Sequence, residues 1–399
     1  MSDVELAPTA MAAGGAALAR DADGRVVFVE GALPGERVRA RLTESRKDFA
    51  RAIALEVLHA SPDRVTPPCL ALALGCGGCT WQHVSVAAQG RLKADIVVDA
   101  LRRIAKLTAP PIPEVATLPE RPRRTTARLA VSPDGRAGHR PRTGSGAVET
   151  DGCLVAHPLL EELIVAGRYP GAREVLLRVA VATGERLALV DRGADGVRVP
   201  DGVRIFQEGD TRPAFVHEAV AGRRFRISAG SFFQPGPVAA AALTAAVSAS
   251  IGDGLVEDGL LVDVYAGVGL FASVIGSERR ARVVAVENDP SAVADARVNL
   301  ADLDAEVVGV EVARWRPQPA DVVVADPARS GLGRPGVKAV AATGASRLVL
   351  VSCDPASLAR DTVLLGAAGY RLVSVALVDA FPHTFHVETV SRYDLITAS

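Results

Sequence analysis

A chain of 399 residues, 49% hydrophobic and 23% charged, can bury two or three cores and has the composition of an ordinary globular protein rather than a disordered or fibrous one. No run of eighteen apolar residues occurs, and the N-terminal MSDVELAPTA carries acids where a signal peptide has basic and apolar segments, which predicts a cytoplasmic protein without a membrane span. A formal net charge of -1 excludes a global basic signature, so any nucleic-acid contact has to come from local patches such as Arg121, Arg123, Arg124 and Arg128.

The first sixty residues read as short β segments, RVVFVEG and ERVRARL among them, separated by the turn chemistry of GALPGE. That pattern suits a small β-barrel or a β-rich extension of no special function. Residues 61–80, rich in Pro, Gly and Cys, predict an irregular loop held by something other than backbone pairing. Residues 87–106 have helical character, PPIPEV marks a linker, and ARLAV, EVLLRVAV and ERLALV give a mostly β central region. From Pro237 an Ala-rich helix leads into alternating apolar strands and helices, which predicts a parallel sheet covered on both faces. The expected division is 1–60, 61–235 and 236–399.

Chemistry concentrates at the ends of those last strands. In LLVDVYAGVGLFA an apolar strand ending at Asp263 runs into Gly267 and Gly269 before a helix, a turn that lets a nucleotide-like ligand approach the backbone. Glu287 in VVAVEND stands where acids of doubly wound folds accept from a ribose. The glycines do not complete G-x-G-x-x-G and no Walker lysine follows, so S-adenosylmethionine is favoured over NAD or ATP. VVVADPARSGLG places Asp326 and Arg329, and LVLVSCDPASLARD places Cys353, at the same carboxyl edge; the helix that follows Cys353 is expected to lower the thiol pKa. Near the C-terminus Asp379, His383, His386 and Glu388 offer general-base candidates, and Phe232, Phe233 and Gln234 precede the Ala-rich helix at a domain junction.

The odd count of five cysteines argues against a disulfide framework. Cys69, Cys76 and Cys79 fall within eleven residues, and with Cys153 they could ligate zinc or an iron-sulfur cluster; the lack of two C-x2-C pairs favours a 4Fe-4S cluster.

The ordered set GALPGERV, CGGCTWQH, SFFQ, DVYAGVGLF, VEND, DPARSG, VSCDPASLARD and FPHTFHVE resembles the RNA 5-methyluridine methyltransferase family over nearly the whole chain. The resemblance implies an α/β protein: an N-terminal OB-like β-barrel (TRAM) that binds RNA, a mostly β central domain with an iron-sulfur site, and a Rossmann-like class I methyltransferase domain. It implies cofactor contacts at Gln234, Tyr265, Glu287 and Asp326, Cys353 as nucleophile and Glu388 as base, with a 4Fe-4S cluster on Cys69, Cys76, Cys79 and Cys153. Structured RNA, tRNA or 23S rRNA, is the implied partner of a monomer that uses S-adenosylmethionine. Departures from the family are a first cysteine one residue further out, DPAR where DPPR is more frequent, and TTAR where a Tyr-Arg element is often found. Two rivals remain: an amino-group nucleic-acid methyltransferase, which needs no cysteine, and a non-catalytic RNA-binding protein with a methyltransferase fold.

Overall fold

The computed structural model describes residues 3–119 and 123–396; Arg121, named above in a basic patch, lies outside the described residues. At the N-terminus six strands pair in one sheet, in which Asp3–Leu6 and Ala10–Met11 form the two edges. Alternation drives it: along Arg37–Ser45 the inward Val38 and Ala40 are buried while Arg37, Arg39 and Arg41 face out. The interior is built from small and β-branched residues, Ala17, Ala19, Val27, Val29, Ala50 and Ala52 among them.

That core is completed from outside the sheet. Trp81 and Val84, with Ala88, Leu92 and Ile96 of helix Val86–Arg103, close it. The same helix turns Val97, Ala100 and Leu101 toward the C-terminal core, so it bridges two layers. This is why residues 61–235 do not form one separate body in the structure: the helix and strand Glu114–Ala116 pack with the C-terminal sheet, the strand pairing parallel to Tyr370–Val378. A three-residue strand is too short to show a period-2 pattern.

The central five-stranded sheet contains Thr126–Val131, Glu174–Val179 and Arg186–Val190, with helix Pro158–Ala166 packed against it. The hairpin Phe215–Val220 and Arg223–Ser228 then leads into Ser231.

The C-terminal sheet has eight strands in the order Ala305–Gly309, Arg282–Glu287, Leu260–Val264, Val322–Ala325, Arg347–Ser352, Thr389–Leu395, Tyr370–Val378 and Glu114–Ala116. The first five are parallel and Thr389–Leu395 runs antiparallel beside Arg347–Ser352. Val322–Ala325 is buried throughout, as expected for a strand covered on both faces. Helices Pro237–Ile251 and Leu270–Arg279 cover one face; Gly333–Ala341, Pro355–Ala367 and the bridging Val86–Arg103 cover the other. This is the class I methyltransferase arrangement, and the carboxyl ends of its parallel strands form the edge where ligands bind in such sheets. Among the described residues no helix is long and apolar enough to cross a membrane.

Candidate active site

Strand Leu260–Val264 ends in a turn where Tyr265, Gly267 and Gly269 all take positive φ (61°, 55° and 85°) before helix Leu270–Arg279. Two glycines supply that backbone without cost, whereas Tyr265 adopts it against its Cβ. Beneath the turn, fully buried Asp263 accepts at Oδ2 from the Ala272 amide at 2.9 Å, and its Oδ1 has no partner. Burial, with Asp326 and Glu287 adding repulsion, pushes its carboxyl up to about 8.

Glu287, ending strand Arg282–Glu287, is clamped by backbone from two turns. It accepts from the Gly267 amide at 2.8 Å and from Asn288 and Asp289 at 2.7 and 2.8 Å. Gln234 arrives from the opposite side. Its segment is fixed where Ser231 donates to Asp295 at 2.7 Å and accepts, through its carbonyl, from buried Arg178 at 2.7 Å. Gln234 Nε2 donates to Asp326 Oδ2 at 3.4 Å, and burial pushes Asp326 up to about 7.

Cys353 follows strand Arg347–Ser352, and Asp354 caps the next helix by accepting from the Ser357 amide at 2.7 Å. The thiol is not lowered as the sequence predicted but pushed up to about 11: burial is the largest cause, Glu388 and Asp326 add to it, and Arg329 opposes. A helix N-terminus favours an anion by about 0.3–1 kcal/mol, less than the roughly 1.4 kcal/mol of one pKa unit, so it loses to burial beside two carboxylates. Glu388 is itself raised well above its ordinary value by burial and by Asp326, against Arg329. Beside it, burial and nearby cations lower His386 to about 4, leaving a neutral imidazole at pH 7.

One cavity of about 590 Å³ joins these groups. Gln234, Tyr265, Glu287, Asp326, Cys353 and Glu388 all line it, with Phe232, Phe233 and Phe381 as apolar wall. The volume suits a drug-sized ligand, apolar wall and convergent polar groups included. On its far side a smaller cavity of about 50 Å³ runs from Cys353 and Arg329 to Ala13 and Gly14 of the N-terminal sheet.

Of the four C-terminal base candidates, His386 and Glu388 reach the cavity. Asp379 instead pairs with Lys93 at 2.6 Å, and His383 is held through its backbone by Gln89 and Trp81. Sequence reasoning missed Gln89 and Lys93. The available signal was their place on the helical stripe that continues through Val97, Ala100 and Leu101.

The other four thiols form a separate group, and all five cysteines are free. Cys69, Cys76, Cys79 and Cys153 line one closed cavity with Arg124 and His139, whose Nε2 lies 3.4 Å from Cys153 Sγ. Burial, with Cys153 and Cys76 adding, pushes Cys79 up to about 11 while Arg124 opposes. The cavity, about 20 Å³, has room for roughly one water. Among the described residues no three His, Cys, Asp or Glu side chains converge to hold a single ion. Four thiols beside the Arg124 guanidinium match the donor chemistry of an anionic cluster.

Known proteins match this arrangement. A TRAM domain model matches residues 10–55, and a tRNA (Uracil-5-)-methyltransferase model matches residues 315–392, which include Asp326, Cys353 and Glu388. The 23S rRNA (uracil(1939)-C(5))-methyltransferase of Methylococcus capsulatus is 33% identical, over 93% of this chain and 93% of its own. The chain belongs to the RNA uracil-5-methyltransferase family. As a member it is an S-adenosylmethionine-dependent RNA methyltransferase, and its N-terminal sheet is the TRAM domain. An uncharacterized RNA methyltransferase of Streptomyces coelicolor is 37% identical over 98% of this chain and 92% of its own. The fold is shared with the tRNA (uracil-54, C5)-methyltransferase of Pyrococcus abyssi, solved with S-adenosyl-L-homocysteine, at TM-score 0.73 and 24% identity, covering 98% of this chain and 100% of that one.

Proposed function

We propose that the enzyme methylates carbon 5 of a uridine in 23S rRNA or tRNA through a covalent adduct on Cys353. The observation that carries this reading is a thiol and the Glu388 carboxyl facing one cavity with the Glu287 and Asp326 carboxyls of the nucleotide-binding edge. An amino-group methyltransferase needs no such thiol, and the rRNA-acting relative at 33% identity makes 23S rRNA the first substrate to test.

S-adenosylmethionine supplies the electrophilic methyl group. On this reading Gln234, Tyr265, Glu287 and Asp326 hold it, Glu287 from a position where two turns fix its carboxylate. Cys353 gives up its proton to solvent, a loss that the Arg329 cation favours, and the thiolate adds to carbon 6 of the uracil. The electron pair moves to the carbon 5 enolate, and carbon 5 takes the methyl group as the donor's carbon-sulfur bond breaks. Glu388, ionised, then removes the carbon 5 proton; the pair re-forms the carbon 5–carbon 6 double bond and expels the Cys353 thiolate. The uridine has to leave its stack to reach this half-buried thiol. Incubation with methyl-labelled donor and unmodified rRNA and tRNA transcripts, followed by nucleoside analysis, should place label in 5-methyluridine and lose it in Cys353→Ala. Undiminished label in the variant, or label in another nucleoside, would overturn the reading.

We further propose that Cys69, Cys76, Cys79 and Cys153 hold a 4Fe-4S cluster, with Arg124 offsetting its negative charge. The cysteine spacing, which lacks the two C-x2-C pairs of a four-cysteine zinc site, supports this over zinc. Anaerobic purification should yield four irons and four sulfides per chain, lost in Cys79→Ser; stoichiometric zinc without iron would contradict the assignment. The enzyme is proposed to act as a cytoplasmic monomer, which light scattering checks for the oligomeric state.

A further inference from the structure

The loop of residues 379–387 carries His386 and leads into Glu388, yet its anchors lie elsewhere in the chain. Helix Val86–Arg103 turns Gln89 and Lys93, one helical turn apart and both fully buried, against it. Lys93 Nζ donates to Asp379 Oδ1 at 2.6 Å and to the Phe381 carbonyl at 2.9 Å. Gln89 Oε1 accepts from the His383 amide at 2.7 Å. Trp81 donates its backbone N–H to the His383 carbonyl at 2.8 Å and its indole N–H to the Gly15 carbonyl at 3.0 Å. The loop is thus fixed at its first, third and fifth residues, and Phe381 at the middle anchor also walls the cavity.

A buried ion pair is poor glue. Removing two charges from water costs about as much as their attraction returns, and well-packed apolar residues of similar size often serve stability equally well. What the Lys93 and Gln89 contacts add over apolar packing is a fixed register, because each hydrogen bond joins one specific pair of atoms: Lys93 donates to two loop oxygens and Gln89 accepts from the His383 amide.

We propose that Lys93 and Gln89 are positioning residues for the proton-removal step, holding the loop so that Glu388 faces carbon 5 of the uracil bonded to Cys353. The proposal rests on the covalent reading above. It predicts a particular failure: with the loop displaced, Cys353 and the donor site are intact, methyl transfer proceeds, and the methylated adduct waits for its base.

The test is single turnover of the full-length protein with methyl-labelled donor and unmodified rRNA transcript, counting label separately in SDS-stable protein–RNA adduct and in free RNA. Lys93→Met and Gln89→Leu should fill the adduct at near the wild-type rate and release free RNA at least tenfold more slowly, as Glu388→Gln does. Lys93→Met/Asp379→Leu should recover the melting temperature of the wild type without recovering release. Adduct and free RNA falling together with the folded fraction, or release at the wild-type rate, would overturn the proposal and leave these residues structural. If Glu388→Gln itself releases product normally, the base reading fails and this proposal with it; if only the Lys93 and Gln89 variants release normally, the base reading stands and the proposal alone falls.

Discussion

At the residue scale the site is a crowd of acids with too little positive charge. Asp326, Glu388 and Cys353 are all pushed toward their protonated forms, chiefly by burial, with Arg329 opposing at Glu388 and Cys353. For Asp326 the sign is clear: the folded protein keeps the proton to about pH 7 while the unfolded chain releases it near 3.8. Its contribution to stability is therefore lost as pH rises between those values. In the absence of the methyl donor, Asp326→Asn should stabilise the protein by roughly 1–3 kcal/mol at pH 8 and by much less at pH 5. The comparison with wild type has to be made at each pH, because the half-buried neutral histidines His83, His139 and His386, lowered to about 4, weaken the fold as pH falls below about 6.5. Thermal melts of both proteins across that range check it, and a pH-independent difference would contradict the account. Asp326 and Cys353 each follow an apolar strand, which is how the sequence puts them at one edge; Glu388 precedes strand Thr389–Leu395 and stood only among four base candidates. The state of the Cys353 thiol was not legible there. The helix start is a local feature, whereas Glu388 and Asp326 come from strands far away in sequence.

At the scale of elements, the tight contact lies between the TRAM domain and the catalytic loop. Gly15 has φ of 88°, and a Cβ there would stand 2.5 Å from Phe385 Cδ1, the residue before His386. Gly14 has φ of 97° and open space around it. Gly14→Ala and Gly15→Ala should therefore share a backbone cost of about 1–2 kcal/mol, while only Gly15→Ala also displaces Phe385 and lowers the methylation rate, by an expected fivefold or more. Equal effects on rate would show that the contact does not matter for catalysis. In the sequence this turn is simply a pair of adjacent glycines, Gly14 and Gly15. Phe385 lies 370 residues further on, and neither segment carries a signal that names the other. Helix Val86–Arg103 was partly readable: its period gave the helix, but not that one side closes the TRAM core and the other covers the catalytic sheet.

At the scale of the molecule, the four sheets of the described residues are arranged so that parts remote in sequence meet at one cavity. The alternation of strands and helices after Pro237 made a parallel sheet covered on both faces legible, and period-2 segments made a small β-barrel one of two readings of the N-terminus; the assignment of class I and TRAM domains came with the family resemblance. The division between them was harder to read because strand Glu114–Ala116 and helix Val86–Arg103 cross it, and these are the elements through which the Lys93 and Gln89 anchors act. The proposal that Cys353 bonds the substrate base is the central one for this arrangement, and it can be tested directly. An rRNA transcript containing 5-fluorouridine has no carbon 5 proton for Glu388 to remove, so methyl transfer should strand the base on the enzyme. Mass spectrometry of the digested complex should find the methylated fluorouracil nucleotide on the peptide containing Cys353, with donor required. Methylation of the ordinary transcript without any such adduct, or an adduct on another residue, would contradict it.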